Sequence, residues 1–264
     1  MIDHSRLEAV ILESGRIAHS LWPGIGYSLK SWAKESGDLV CEADLAVDAF
    51  LKRELTALLP SAGWLSEETA DDLDRLERDL IWVVDPIDGT RDFVRGREGW
   101  CVSVALVSAG KPLIGMLCVP AKKELWVAIC GEGSWVNGIR LKASQRADFS
   151  GARIPVDALP SKDSDLVKVD KPNSIALRIA MIGADQADLI ATLRWGYEWD
   201  IAAATLIARE AGAEVTDAFG KPLAFNKRDP RAFGVLVSAQ KIHRHAVERL
   251  AERAARLAKE YKTR

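Results

Sequence analysis

The stretch IWVVDPIDGTRDF, residues 81–93, constrains the fold more than any other part of the chain. Four apolar residues, Ile81–Val84, form a run typical of a buried strand, and they lead directly into an acidic turn. Asp85 and Asp88 lie three positions apart across this turn, whose backbone Pro86 restricts, so both carboxylates can face one point. The chain must therefore fold around a sheet in which one core strand ends at an acidic site.

The remaining pattern predicts an α/β (α+β layered) architecture, with helices packed on sheets. The first 22 residues carry a helical stripe, and a second amphipathic helix follows Cys41 and stops at Pro60. GWLSEE predicts a short strand and DDLDRLERD a solvated helical segment, while residues 101–141 predict a meander of three or four strands. Further strands are predicted at 153–156, 214–216 and 233–238, and further helices at 174–182, 199–212 and the C terminus.

Length and composition predict one compact unit. The 264 residues suit a single domain with an N-terminal half of about 1–145 and a C-terminal half of about 146–264. The net charge of −2 argues against a nucleic-acid partner and a polybasic membrane surface, and no apolar run has the length of a membrane span. The N terminus lacks a signal-peptide pattern, and the four cysteines lack metal-site spacing. We therefore expect a cytoplasmic protein with reduced core cysteines.

Carboxylates recur at the predicted ends of strands and starts of helices, at Asp44, Glu67, Asp85, Asp88 and Asp200. Hard divalent cations such as Mg²⁺ prefer oxygen ligands and usually keep waters and phosphate oxygens in their shell. Asp85 and Asp88 can face the same ion. The sequence therefore favours a magnesium site at the end of the strand.

The residues after Asp85 also suit a phosphate. The Ile87 carbonyl, placed in a turn, can add a neutral oxygen ligand. Gly89 lets the backbone approach a phosphate closely, and a helix starting near Thr90 would present free N–H groups to it. Thr90 can cap that helix, bind the phosphate or orient a water molecule.

Other interpretations of DPIDGT have different requirements. A plain turn after a strand explains Asp-Pro-x-Asp-Gly equally well when the segment is taken alone. An EF-hand loop needs acids at alternate positions and a Glu at its twelfth, which Pro86, Ile87 and Gly89 do not fit. A phosphatase of the haloacid dehalogenase type would have one residue fewer between its two aspartates.

Four elements, in order and covering most of the chain, resemble the motifs of the inositol monophosphatase superfamily. WVVDPIDGTRDF is similar to the first signature, and WDIAAA at 199–204 to the second, W-D-x-A-A-G, with Ala204 in place of the Gly. Glu67 and Glu68 match the acidic pair before the first signature, and Asp44 matches the aspartate that opens a helix. The resemblance implies a five-layered αβαβα sandwich and a lithium-sensitive, Mg²⁺-dependent phosphomonoesterase.

The resemblance implies two or three bound Mg²⁺ ions. Glu67, Asp85 and the Ile87 carbonyl would bind the first ion, and Asp85, Asp88 and Asp200 would bind the second. A third, weaker ion would lie near Glu67 and Asp44. Because clustered carboxylates repel one another, the cations would also neutralise the site.

The resemblance further assigns catalytic and substrate-binding residues. Glu67, Thr90 and Asp44 would activate the attacking water, and the amides of Gly89 and Thr90 would hold the phosphoryl group in line. The substrate-binding residues implied in this way are Gly89, Thr90, Arg91, Ser174 and Asp200.

The residues after the first signature favour one branch of the superfamily. Arg91-Asp92-Phe93 is similar to the Gly-Thr-Lys/Arg-Glu-Phe continuation of bisphosphate nucleotidases, whereas inositol monophosphatases continue as Gly-Thr-x-Asn. Inositol phosphatases have an acidic residue seven positions before the Asp of the second signature. This chain has Leu193 at that position. We therefore predict hydrolysis of 3′-phosphoadenosine 5′-phosphate to AMP and phosphate, a reaction of sulfur metabolism.

Two alternatives stay open. One is an inositol-1-phosphate or other sugar-phosphate phosphatase on the same scaffold, since Asn173 precedes Ser174 where relatives carry Gly-Ser near the substrate. The other is a non-catalytic binding protein that kept the fold. The expected partner is a small phosphomonoester, with no nucleic acid and no membrane required, and the resemblance allows a homodimer.

Overall fold

The computed structural model describes residues 2–33 and 39–262. Across these residues, no helix combines the length and apolar character needed to cross a membrane. The helices are α1 (His4–Leu21), α2 (Glu42–Leu58), α3 (Thr90–Val94), α4 (Ile175–Gly183), α5 (Glu198–Glu210) and α6 (Gln240–Lys262). The strands are β1 (Trp32–Ala33), β2 (Leu39–Val40), β3 (Gly63–Ser66), β4 (Leu80–Asp88), β5 (Cys101–Ser108), β6 (Lys111–Val119), β7 (Glu124–Ile129), β8 (Gly133–Val136), β9 (Ile139–Arg140), β10 (Arg153–Pro155), β11 (Val167–Val169), β12 (Leu189–Tyr197), β13 (Ala213–Thr216) and β14 (Arg231–Ala239).

Seven strands form one sheet in the order β3-β4-β5-β6-β7-β8-β9. β3 runs parallel to β4, and each later neighbouring pair is antiparallel. The antiparallel part contains the predicted meander, because short turns return the chain beside the strand it has just left. A second sheet has three antiparallel strands in the order β12-β14-β13.

The apolar residues of β4 alternate between two cores. Trp82 and Val84 belong to the core that holds α1 and α2, whereas Ile81 and Val83 belong to the core that holds α4 and α5. β4 is therefore buried on both faces, which explains its unbroken apolar run. α4 and α5 also pack on the three-stranded sheet, whose other face is covered by α6. The layers follow the predicted αβαβα order.

β4 has one extra residue next to its acidic end. Asp85 pairs with Ser103 and Asp88 pairs with Cys101, so three steps along β4 match two steps along β5. Such a bulge bends a strand and redirects its side chains. Pro86 has no N–H for a ladder hydrogen bond, which suits the bulge at this position. The strand therefore continues to Asp88 instead of ending at Asp85.

The predicted solvated helix at 71–79 is wrong. The segment contains only a 3₁₀ turn, Asp74–Glu77, and Arg75 is 1% exposed. The Arg75 guanidinium pairs with Asp71 at 2.7 Å and donates to the Lys227 carbonyl at 2.9 Å. A long-range contact therefore overrides the local helical composition.

β12 was absent from the predicted elements. Its pairing with β14 shifts register between Thr192 and Trp195. The shift interrupts the period-two alternation by which a half-buried strand is recognised. This strand, which the sequence did not predict, leads directly into α5.

All four cysteines are free thiols, as their spacing predicts. Cys41, Cys101 and Cys118 are buried, whereas Cys130 is exposed. Cys130 follows the last residue of β7 and precedes the turn to β8. The predicted core position is therefore wrong for this one cysteine.

Candidate active site

The end of β4 opens into a cavity of about 520 Å³ that is also lined by the end of β12 and the start of α5. Its acidic wall contains Glu67, Asp85, Asp88 and Asp200. These residues come from three separate parts of the chain: the end of β3, the end of β4 and the first turn of α5. The fold therefore brings together carboxylates that the sequence places far apart.

Three of these carboxylates form a tight group. Each of Glu67, Asp85 and Asp200 offers an oxygen, and these oxygens all lie within 4.8 Å of one another. Burial, followed by the charges of Glu67 and other nearby carboxylates, raises the pKa of Asp85 well above its ordinary value. Burial, followed by the charge of Asp88, does the same to the pKa of Asp200. An all-oxygen set under this mutual repulsion suits Mg²⁺, whose charge would stabilise the ionised carboxylates.

Asp88 is adjacent to this group, and its oxygens are already engaged. They accept hydrogen bonds from the Ser174 hydroxyl at 2.5 Å and the Ala176 amide at 2.6 Å. Burial raises the pKa of Asp88, while these hydrogen bonds and the charge of Arg178 oppose the rise. Ser174 is itself buried and is the N-cap of α4. The structure thus places Ser174 beneath Asp88 and away from the cavity wall.

Glu67 is positioned by a residue that the sequence analysis missed. The residues on either side of it, Ser66 and Thr69, both donate hydroxyl hydrogen bonds to Asp48, at 2.5 and 2.6 Å. Asp48 lies one helical turn after Asp44 on α2, and both side chains are buried. Two acids at i and i+4 on a buried helix face were the available signal, since carboxylates are rarely buried without partners.

Asp44 is connected to the cavity by a hydrogen bond from Thr90, which lines it. The Thr90 hydroxyl lies 3.3 Å from Asp44 Oδ1 and 3.0 Å from the Ile87 carbonyl oxygen. The other carboxylate oxygen of Asp44 accepts the backbone N–H of Cys41 at 2.8 Å. Three predicted site residues, Asp44, Ile87 and Thr90, are therefore joined by one hydroxyl group.

Gly89 is required at the turn between β4 and α3. Its φ is +97°, a left-handed conformation that favours glycine. A side chain here would bring its Cβ to 2.7 Å from the Gly99 carbonyl oxygen and 3.0 Å from the Ser174 amide nitrogen. The helix predicted to start near Thr90 is present as the short α3.

Cationic side chains also line the cavity. Arg178 donates from its guanidinium to the carbonyls of Ser174 and Asn173, at 3.2 Å each. These bonds hold the group beside Asp88, although burial lowers the pKa of Arg178. The cationic residues that line the cavity are Arg91, Lys171, Arg178 and Arg194.

Aromatic rings continue the cavity wall. Tyr197 and Trp199 stack on each other with centroids 4.4 Å apart and ring planes 6° from parallel. Trp195 packs edge-on against Phe233 at 5.6 Å. Leu193 lines a different, apolar cavity. No carboxylate occupies the position of the predicted inositol contact, and the neighbouring Arg194 lines the active-site cavity instead.

Known proteins are similar to this chain in sequence and fold. The sequence model of the inositol monophosphatase family matches residues 7–260. The chain is 30% identical over 209 residues to inositol monophosphatase 2 of Solanum lycopersicum, covering 72% of this chain and 79% of that protein. It is 32% identical over 204 residues to the fructose-1,6-bisphosphatase/inositol-1-monophosphatase of Thermotoga maritima, covering 72% and 76%.

The solved structure of the Thermotoga maritima IMPase has a TM-score of 0.82 to this chain at 26% identity, covering 96% of this chain and 99% of that one. These similarities confirm the predicted superfamily and fold, whereas the nucleotidase branch stays a prediction. Enzymes of this family use Mg²⁺, and the group formed by Glu67, Asp85 and Asp200 supplies the oxygen ligands that this ion prefers. The chain therefore belongs to the inositol monophosphatase family and is a metal-dependent phosphatase of that family.

Proposed function

We propose that the protein removes one phosphate from a nucleoside bisphosphate, with 3′-phosphoadenosine 5′-phosphate giving AMP as the reference reaction. The observation that carries the proposal is the set of cationic side chains that line the same cavity as the carboxylates. A substrate with a single phosphate needs charge at the metal site alone. Four cationic side chains around the same cavity suit a ligand with a second anionic group.

Arg178 is the best-placed candidate for the second phosphate. Carbonyl groups fix its guanidinium, so little side-chain entropy is lost on binding. No hydrogen bond or ion pair to an acidic side chain occupies Arg91 or Arg194 within residues 2–33 and 39–262. Lys171 is different because it pairs with Asp157. The stacked Tyr197 and Trp199 rings provide an aromatic surface for a base.

We assign the predicted metal ligands as follows. Glu67, Asp85 and the Ile87 carbonyl would bind one Mg²⁺, and Asp85, Asp88 and Asp200 would bind a second. When bound, the ions activate a water molecule and neutralise charge on the leaving oxygen. A third ion near Glu67 is compatible with the same ligands.

The chain's own residues move the proton. Thr90 accepts a proton from the water as its hydroxyl passes its own proton to Asp44, and Asp44 Oδ1 already lies 3.3 Å from that hydroxyl. The amides of Gly89 and Thr90 begin a helix and point at the phosphoryl oxygens. Glu67 orients the same attacking water molecule.

The test is phosphate release from 3′-phosphoadenosine 5′-phosphate, inositol 1-phosphate and fructose 1,6-bisphosphate, measured with Mg²⁺ and with chelator. We expect no turnover in chelator and a kcat/KM for the nucleotide at least about 10-fold above that for inositol 1-phosphate, equal to about 1.4 kcal/mol. Arg91→Ala and Arg178→Met should each reduce this preference, mainly through the nucleotide. Arg95→Ala, which changes an exposed arginine outside the cavity, is the control.

One alternative has its own support. The Thermotoga maritima relative is named as acting on fructose 1,6-bisphosphate and inositol 1-phosphate, and the first of these also carries two phosphates. Higher turnover of fructose 1,6-bisphosphate than of the nucleotide would favour a sugar-bisphosphate phosphatase. Equal turnover of inositol 1-phosphate and the nucleotide would contradict the nucleotidase proposal.

A further inference from the structure

The N-cap of α2 is an unusual residue for that position. Helix N-caps are most often Ser, Thr, Asp or Asn, whose side-chain oxygens accept hydrogen bonds from the first turn. Here the N-cap is Cys41, which is fully buried. Its thiol lies 2.9 Å from Asp44 Oδ2, and its backbone N–H lies 2.8 Å from the same oxygen. Two donors from one residue therefore converge on one carboxylate oxygen.

The thiol acts as a donor in this contact. Burial, together with the charge of Asp44, raises the pKa of Cys41 to about 12, so the group stays protonated over the pH range of most enzyme assays. A protonated thiol can donate only one hydrogen bond, and Asp44 Oδ2 is its nearest charged acceptor. The thiol is buried behind Asp44 and does not line the active-site cavity.

The two oxygens of Asp44 have separate partners. Oδ2 is held by Cys41, and Oδ1 lies 3.3 Å from the Thr90 hydroxyl. A carboxylate held at one oxygen cannot rotate without breaking those hydrogen bonds. The direction of the other oxygen is thereby fixed towards Thr90.

We propose that Cys41 is a positioning residue for hydrolysis. It holds Asp44 so that its Oδ1 stays within hydrogen-bonding distance of the Thr90 hydroxyl. The inference rests on the proposed proton transfer from water through Thr90 to Asp44. Without the thiol, Cys41 would donate to Asp44 Oδ2 through its backbone N–H alone. The thiol adds a second direction and restricts the plane of the carboxylate.

The first test is steady-state phosphate release by Cys41→Ala and Cys41→Ser in the full chain with saturating Mg²⁺. Cys41→Ala should lower kcat by about three- to tenfold, the effect expected for the loss of one hydrogen bond. Its KM and its Mg²⁺ half-saturation should not change. Cys41→Ser, which restores a donor, should keep kcat within about twofold of wild type.

Cys118→Ala is the matched control. Cys118 is also a buried free thiol, but it lies in β6 against Gly15 of α1, and no carboxylate accepts a hydrogen bond from it within the described residues. Its loss should lower thermal stability without changing kcat. If Cys41→Ala does not fold, Cys41→Val takes its place because it fills the site without supplying a donor.

A double-mutant cycle separates positioning from a general loss of structure. In the Asp44→Asn background, Cys41→Ala should cause no further decrease in kcat, because the side chain that it positions is no longer a base. An equal decrease in both backgrounds would overturn the inference. Unchanged kcat in Cys41→Ala would overturn it as well. Unchanged kcat in Asp44→Asn and Thr90→Ala would instead contradict the proton path on which it rests.

Discussion

Two helices, α2 and α5, begin at the active site with the same local geometry. In each, the third helical residue is an aspartate whose Oδ2 accepts the backbone N–H of the N-cap. Cys41 donates to Asp44 at 2.8 Å, and Tyr197 donates to Asp200 at 3.0 Å. The chain uses this arrangement once before the seven-stranded sheet and once after it.

The Oδ1 atoms of the two aspartates have different surroundings. Asp44 is 1% exposed, and its Oδ1 lies 3.3 Å from the Thr90 hydroxyl. Asp200 lines the cavity and joins Glu67 and Asp85 in the tight carboxylate group. A shared capping geometry thus orients one oxygen, and the neighbours of the other oxygen decide whether the residue suits a base or a metal ligand.

The two helix starts are also anchored differently. Glu198, the first residue of α5, is fully buried and pairs with Lys227 at 2.8 Å. Lys227 in turn gives its carbonyl to the buried Arg75, which joins α5 to the segment after Glu67. At α2 the equivalent support comes from Asp48 and its two hydroxyl donors. The metal-facing helix is held by one ion pair and two backbone amides at Glu198, and hydroxyl donors bind Asp48 on the base-bearing helix.

The largest effect should come from Asp200→Asn. We expect kcat/KM to fall about 100-fold or more, equal to roughly 2.7 kcal/mol, because the loaded site loses a charged ligand. In chelator, the free energy of unfolding should stay the same or rise, since one repelling charge is removed. Kinetics and chemical denaturation measure the two effects. Asp217→Asn, a loop aspartate that also accepts backbone amides, is the control, and near wild-type turnover of Asp200→Asn would refute the ligand assignment.

Asp44→Asn should lower kcat by about 10- to 100-fold through loss of the general base. Its Mg²⁺ half-saturation should stay near wild type because Asp44 lies outside the tight carboxylate group. Asp48→Asn should have the opposite pattern, with kcat near wild type at saturating Mg²⁺ and a raised Mg²⁺ half-saturation. The reason is that it loosens the segment that carries Glu67. Magnesium titrations of turnover distinguish the two variants. Similar magnesium curves for both would show that the two acids of α2 do not have separate roles.

Glu198→Gln should weaken the anchoring of α5 and raise the Mg²⁺ half-saturation by about tenfold, as expected for a residue that supports a ligand. Asp188→Asn is the matched control. Asp188 is equally buried and ion-paired, with Arg153 at 2.8 Å, but it directly precedes β12, at the end of that strand away from the cavity, and carries no metal-ligand helix turn. Both variants should lose thermal stability, and only Glu198→Gln should change the magnesium titration.

The smallest effect is a pH dependence of stability without metal. The pKa values of Asp85 and Asp200 are raised by folding, so the folded state binds more protons than the unfolded state above pH about 4. The unfolding free energy in chelator should therefore be greater at pH 5 than at pH 8.

Two comparisons check the sign of this pH effect. His243, buried between Thr216 and Ser238, opposes it: burial lowers the pKa of His243, so its protonation costs stability below pH about 6.5. The difference in unfolding free energy between Asp200→Asn and wild type does not contain the His243 contribution, which is the same in both proteins. This difference should be smaller at pH 5 than at pH 8. Saturating Mg²⁺ should reverse the trend, because its ligands must be deprotonated. A larger difference at pH 5 would contradict the assigned repulsion.

Local pattern was enough to predict much of the fold. The apolar run of β4, the amphipathic stripe of α2 and the meander were recognisable because their periods follow from strand and helix geometry. β12 was missed because its register shift interrupts that period, and Arg75 was misplaced because a distant loop supplies its partners. Both errors occur where a long-range contact overrides a local preference.

The sequence by itself determined the chemistry available to this protein: oxygen ligands at the end of a core strand, a Gly-Thr turn that approaches a phosphate, and aspartates in the first turns of two helices. Periodicity and turn chemistry act over a few residues, so a sequence reports them directly. Only the tertiary structure decided that Glu67, Asp85 and Asp200 meet within 4.8 Å, and that Asp44 lies next to Thr90. It also brought Arg178 to the cavity beside Asp88. These distances follow from the packing of α2 and α5 on opposite faces of one sheet, and no local pattern specifies such packing.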